Sequence, residues 1–305
     1  MEVTMSEITR LLEEKNLLQK QPIREGSIEI KDGYLYLRKR QGNSLRSEYV
    51  GTYTNEAYAD LQKDVTEGKR IKKRLRAIEK ELVNQGYERK ELSLNVRKSL
   101  QLGILNFKSS IHNQAILEGI PTTFPETERI VEDGRGSNLT ATEIGKITNL
   151  KRAWQFILDE DVIQIRSDIS MLKTIATIIT EGTLMSGKLR IVPVFIRNST
   201  YKPPIPIESV IKENIEQILA TEESVIDKAI NLCLYCMKAQ IFLDGNKRTA
   251  VIFANHYLMS QGAGLLMLTE DNLEVFVDLL IKFYETGEKA ELVKLFKNKF
   301  WYKIE

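Results

Sequence analysis

The chain is poor in the residues on which metal and redox chemistry depend: its 305 residues include two histidines, His112 and His256, and two cysteines, Cys233 and Cys236. That scarcity argues against a His/Cys zinc centre, and two cysteines cannot build a disulfide framework, a usage that fits a reducing cytoplasm. Both cysteines fall in one apolar stretch with no second pair, so they read as helix core rather than as ligands or a redox couple. No run approaches the roughly 18 apolar residues of a membrane span. The acidic, amphipathic start MEVTMSEITRLLEEKN also lacks the basic-then-apolar order of a signal peptide. A cytoplasmic protein without membrane contact is expected. No G-x-x-x-x-G-K-[ST] or G-x-G-x-x-G occurs, which removes P-loop and Rossmann readings. A dominant sign of charge is missing too: 44 Lys and Arg face 42 Asp and Glu, so whole-molecule attraction to nucleic acid is not a starting point, whereas local patches stay open.

What is present suffices for a core. A 42% hydrophobic share with 28% charged residues is ordinary for a globular chain, and the length suits one large domain or two smaller ones. Residues 5–18 carry apolar side chains at helical spacing, with Ser6 as a cap. Ser27–Lys31 and Tyr34–Arg38 alternate around Asp32-Gly33, a hairpin signal, and Glu48–Tyr53 would add a third strand. Asn55 to Asn84 reads as one long helix containing Lys69-Arg-Ile-Lys-Lys-Arg-Leu-Arg76, six basic residues in eight. This run is either a solvated face offset by Glu79 and Glu81 or a contact for nucleic acid or an acidic partner. A second helix is expected over 88–117, a turn-rich segment over 119–138, and helices over 140–158, 162–181, 207–220, 222–240, 247–261, 270–286 and 288–299. Lys188–Arg197 reads as a strand, placed at an edge by Pro193, and 198–204 turns away from it. The fold class is therefore mainly α, with a small α/β N-terminal region over residues 1–100 (a β-hairpin and a long helix) and a larger helical domain over 101–305. The N-terminal hairpin and helix would brace that domain or dock a partner.

The chemistry concentrates in Lys238-Ala-Gln-Ile-Phe-Leu-Asp-Gly-Asn-Lys-Arg-Thr-Ala-Val251. Apolar helices on both sides should be buried, yet Asp244-Gly-Asn-Lys-Arg248 between them offers polar side chains and a glycine without a packing reason. A tight turn at Gly245 followed by a helix N-terminus presents unsatisfied N–H groups and partial positive charge, an arrangement that binds phosphates. Lys247 and Arg248 add full charges, and Asp244 could hold a divalent cation between two phosphates. A capped helix start with a solvated basic pair satisfies the same spacing.

Gln240-Ile-Phe-Leu-Asp-Gly-Asn-Lys-Arg248 resembles the signature of the Fic/Doc (Fido) family, H-x-F-x-[D/E]-[G/A]-N-[G/K]-R, at eight of nine positions. Ser186–Pro206 resembles the family's β-hairpin flap, and Asn149-Leu-Lys-Arg-Ala153 its N-x-x-x-A run. The resemblance covers roughly residues 105–300. It implies an all-helical core that transfers AMP from ATP to a protein hydroxyl with Mg²⁺, or phosphate in the Doc branch, on a target protein docked along the flap near residues 188–204. It further implies that Asp244 holds the metal, that Gly245, Asn246, Lys247 and Arg248 cradle the phosphates, and that Phe242 anchors the loop.

Two positions depart from the family pattern. Gln240 stands where the family has its catalytic histidine, and a glutamine amide can orient a hydroxyl but cannot take its proton. Activity is therefore expected to be weak or lost, leaving a nucleotide- or partner-binding protein. Glu118, in Ala115-Ile-Leu-Glu-Gly119, occupies the place of the family's inhibitory glutamate, yet the position of its usual second arginine is Val251. Glu118 is thus a regulatory candidate that is not expected to close the usual ion pair. Thr177-Ile-Ile-Thr-Glu-Gly182 matches the same short pattern by chance and reads as a helix end.

Overall fold

The computed structural model describes residues 2–41, 44–136 and 138–304. The backbone forms two compact units, one of residues 10–88 and one of residues 4–9 and 89–305. No helix among the described residues is long and apolar enough to cross a membrane.

Helix α1 (Glu2–Gln19), which enters the smaller unit at Arg10, begins ahead of Ser6, which therefore is no cap; the Ser6 side chain lies outside the described residues. Strands β1 (Ser27–Lys31), β2 (Tyr34–Gln41) and β3 (Ser44–Thr52) form an antiparallel meander. Asp32 and Gly33 both adopt positive φ, 52° and 80°, as a two-residue turn that follows strand twist requires. The pleat sends Leu35 and Leu37 onto Leu61 and Val65 of α2 (Asn55–Asn84), while Tyr34 and Tyr36 stay on the opposite face, each 5.8 Å from the Tyr49 ring. Thr54 caps α2 by accepting from the Ala57 N–H at 3.0 Å.

The larger unit is helical: α3 (Leu94–Leu105), α4 (Phe107–Leu117), α5 (Phe124–Asp133), α6 (Ala141–Ile157), α7 (Ile169–Ile179), α8 (Glu208–Ala220), α9 (Val225–Ala239), α10 (Asn246–Ser260), α11 (Leu273–Thr286) and α12 (Ala290–Leu295). A pair of two-residue strands, β4 (Leu265–Leu266) and β5 (Trp301–Tyr302), closes one end. Helix α10 is the axis of the unit: from Asn246 to Met259 every residue but Lys247 is buried, and α3, α6, α7 and α9 pack around it. An apolar stripe on one side cannot produce this; a helix buried nearly all round belongs in the middle of a domain, and its polar Asn255 and His256 find partners inside it. Trp154 and Phe156 are core, as are Cys233 and Cys236, whose thiols burial pushes up, Cys236 to about 12. His256 is fully enclosed, its Nδ1 2.7 Å from Ser167 Oγ and its Nε2 3.1 Å from the Val162 carbonyl.

Four expectations need correction. The helix over 88–117 is two helices parted at Asn106, and that over 162–181 is a short 3₁₀ turn followed by α7, which starts where Asp168 accepts from the Met171 N–H. The turn-rich segment contains α5, capped by Thr123 with a proline in its first turn. Residues 188–207 form no ladder: the sole pairing there is an isolated bridge from Leu189 to Phe242. Pro193 cannot donate, and the Arg190 side chain takes the carbonyls a neighbouring strand would need. Its Nε donates to the Gln240 carbonyl at 2.5 Å, Nη1 to Val192 O at 2.9 Å, and Nη2 to Pro203 O at 3.2 Å and also to Pro204 O. The flap is thus an irregular loop pinned at its base by one buried guanidinium.

Candidate functional site

The loop from Gln240 to Gly245 joins α9 to α10. Gln240 ends α9 in the left-handed region (φ 46°, ψ 58°), and Ile241 and Phe242 drop into the core. Gly245 sits at φ 75°, and a Cβ there would meet Ile179 Cγ2 at 2.7 Å and Thr180 Cγ2 at 3.0 Å, so this turn admits no larger residue without displacement. Helix α10 then starts with no side-chain cap, which leaves its first N–H groups to other acceptors.

Asn246 is spent on the loop itself. Its Oδ1 accepts from the Phe242 N–H at 2.9 Å, and its Nδ2 donates to Phe242 O at 2.7 Å and to Gln240 Oε1 at 3.2 Å. Gln240 in turn donates from Nε2 to Met237 O at 2.7 Å, so both ends of its amide are held. The Tyr284 hydroxyl also reaches Gln240, and burial, aided by Cys233 and Glu118, pushes this phenol up despite that bond. The Tyr284 phenol therefore stays protonated beside position 240 near neutral pH.

Arg248 is fully buried. Its Nη2 donates to Asp244 Oδ2 at 3.1 Å, its Nε lies 3.5 Å from Glu118 Oε2, and neither Nε nor Nη1 has a hydrogen-bond acceptor. Lys247 donates from Nζ to Leu117 O at 3.2 Å and stands 3.9 Å from Glu118 Oε1. Val251 is core and offers Glu118 no partner, and Glu118 faces Arg248, the arginine of the loop itself. Burial raises the Asp244 carboxyl, but Arg248, the Gly245 N–H and Lys146 outweigh it and hold Asp244 below the ordinary carboxylate range.

In front of the loop lies a cleft of about 480 Å³, lined by Glu118, Gln240, Asp244–Lys247 and Tyr284, by flap residues 195–198, and by the apolar Leu243, Val277, Leu280 and Ile281. The positions expected to act together, 118, 240 and 244–247, thus share one cavity, with Arg248 directly behind Glu118. Asn149 lies outside it, tying the end of α7 by donating to Ile179 O and Glu181 O at 3.3 and 3.0 Å. His112 is engaged elsewhere, with Nδ1 3.1 Å from Thr127 Oγ1 and Nε2 3.4 Å from Glu270 Oε2. Tyr284 and Arg190 escaped the sequence reading. Tyr284 looks like any core residue of an apolar helix, and the one hint for Arg190 was a charge inside an otherwise apolar extended run.

A buried-helix–loop–buried-helix centre with a pinned flap before it defines a Fic-fold domain. Residues 166–258 match the family model described as the Fic/DOC family. Among solved structures, Fic-1 from C. elegans is 17% identical with a TM-score of 0.52, over 79% of this chain and 73% of that one. A Fic-domain-containing signaling protein from Bacteroides thetaiotaomicron is 15% identical, TM-score 0.52, over 69% and 82%. A Fic family protein from Desulfovibrio desulfuricans is 14% identical, TM-score 0.52, over 69% and 73%. A comparison with curated proteins finds no match.

Proposed function

We propose that the cleft binds a Mg-nucleotide, ATP by resemblance, on the 244–248 loop, and that AMP transfer from it to a target hydroxyl is weak or lost. The observation that carries this reading is the uncapped start of α10, with Lys247 and the unsatisfied guanidinium of Arg248 beside a cleft whose residue 240 is a tethered amide. The uncapped N–H groups and Lys247 Nζ suit the phosphates; Leu243, Val277, Leu280 and Ile281 give a base an apolar wall. Asp244 is a lone carboxylate, and no group of three His, Cys, Asp or Glu suited to a metal occurs among the described residues. That donor set fits Mg²⁺ arriving with phosphates, which supply its remaining ligands, and does not fit a resident ion. Bound in that way, the ion would neutralise charge on the phosphates. Asn246 contributes as the clamp that shapes the loop. Glu118 occupies the anion's place at Arg248 and must withdraw before Arg248 can serve a phosphate. An attacking hydroxyl must lose its proton as its oxygen bonds to phosphorus, and Gln240 cannot accept it, a deficit worth ~10²–10⁴ in rate. The flap over 188–207, with Ile191 and Phe195 exposed, is the face where a target segment would lie.

Calorimetry with Mg-ATP on wild type and Asp244→Ala tests the binding; no heat from wild type sinks it. Incubation of wild type and Gln240→His with α- or γ-labelled ATP and candidate protein substrates tests the chemistry. Label transferred only by Gln240→His is the expected result. Equal labelling by both proteins would show that another base serves the wild type, and the position of the label would distinguish AMP from phosphate transfer.

A further inference from the structure

The basic run of α2 is not one feature but two. Arg70 donates to both carboxylate oxygens of Glu67 at 2.9 and 2.8 Å, Lys72 pairs with Glu25, and Arg74 is held by Glu14 at 2.6 and 2.7 Å and by Glu81 at 2.7 Å. These cations are neutralised within the unit. Lys69, Lys73, Arg76 and Lys80 are exposed and make no ion pair among the described residues. Their spacing of four, three and four residues puts them within an arc of about 60° and along about 16 Å of helix. That arc is opposite the buried Ile71, Ile78 and Leu82. The four line a shallow groove of about 460 Å³ together with Lys72 and Ala77. Of the two acidic residues that would offset them, Glu81 is consumed by Arg74, and Glu79 sits about 90° round the helix. The unit as a whole, residues 10–88, holds 17 Lys and Arg against 13 Asp and Glu, whereas the whole chain is nearly balanced.

We propose that this ridge binds the phosphodiester backbone of double-stranded nucleic acid, without reading sequence. Four uncompensated cations in a straight, rigid line complement a duplex, which carries a charge about every 1.7 Å of its axis. Single strands are held by aromatic side chains on which bases stack, and the ridge has none. An anionic membrane surface calls for apolar side chains beside the cations, and the arc offers one exposed aliphatic residue, Val83, at its end. Lysine and arginine side chains at these positions would contact phosphates and leave base edges untouched.

The test uses the full chain and a fluorescein-labelled 20-base-pair DNA duplex, read by anisotropy between 50 and 200 mM salt. Four phosphate contacts give a slope of log affinity against log salt of about −3.6, a loss of ~150-fold over that range. Lys69→Gln/Lys73→Gln and Arg76→Gln/Lys80→Gln are each expected to reduce the slope by about 1.8, while Arg70→Gln leaves it unchanged. Glutamine keeps helix propensity, and circular dichroism checks each variant. No duplex binding at 50 mM salt, or equal slopes for wild type and both double variants, overturns the proposal. So does tighter binding to single-stranded DNA or to vesicles containing phosphatidylserine than to duplex.

Discussion

If Asn246 is the clamp of the 240–245 loop, its removal is first a loss of stability. Asn246→Ala deletes three hydrogen bonds, of 2.9, 2.7 and 3.2 Å. Two of them serve Phe242, itself 2% exposed, so its N–H and carbonyl would be left without partners in a place water hardly reaches. An unsatisfied buried polar group costs about 1–3 kcal/mol, and the two backbone groups together about 2–6 kcal/mol. At about 2–4 °C per kcal/mol for a domain of this size, a midpoint loss of roughly 8–16 °C is expected for the central value of about 4 kcal/mol. Thermal and urea melts followed by circular dichroism measure it, with Mg-ATP titrations of the same variant alongside. Asn246→Asp adds a second reading, because it keeps an acceptor for the Phe242 N–H but sets a carboxylate against Phe242 O and Gln240 Oε1; it should melt below wild type too. A midpoint within 2 °C of wild type, combined with loss of nucleotide affinity, would refute the clamp and return Asn246 to the role of a phosphate ligand.

Glu118→Gln removes one of the two carboxylates at Arg248, leaving Asp244, and should tighten Mg-ATP binding about tenfold in calorimetry; unchanged affinity would count against Glu118 as a plug. His256 is held neutral by burial at a pKa of about 4 against an ordinary value near 6.5, so the unfolded chain takes up its proton first as pH falls. The stability this contributes is fully present above pH 6.5 and is lost progressively as pH falls through about 4, by about 3 kcal/mol in all. Urea midpoints of wild type and His256→Gln at pH 7 and pH 4.5 check the sign: wild type should lose more between the two.

Much of this was legible where one local signal and one burial pattern agreed. The bounds of α2 follow from Thr54 and its apolar spacing, and the hairpin from Asp32-Gly33. The loop at 240–248 stood out because it is polar between two apolar helices. Legibility failed where tertiary partners decide. Alternation over 188–197 suggests a strand, but a strand needs a neighbour, and here Arg190 meets the carbonyls instead. Helix α5 was hidden by Pro125, although Thr123 with Glu126 three residues on is a start signal in its own right. The Glu118–Arg248 contact joins α4 to α10 across more than a hundred residues, a pairing no local pattern encodes.

The burial of α10 has a consequence for how this site moves. The amides of its central turns can exchange with solvent only when the packing of α3, α6, α7 and α9 is broken, so they should exchange near the rate of global unfolding. Residues 191–198 carry Ile191, Val192 and Phe195 in the open, so their amides should exchange within the first minutes. The two halves of the cleft then belong to opposite ends of the protein's own stability scale. A phosphate would meet a surface that is already fixed, while whatever approaches from the flap side would meet exposed side chains and bear the entropy of ordering them.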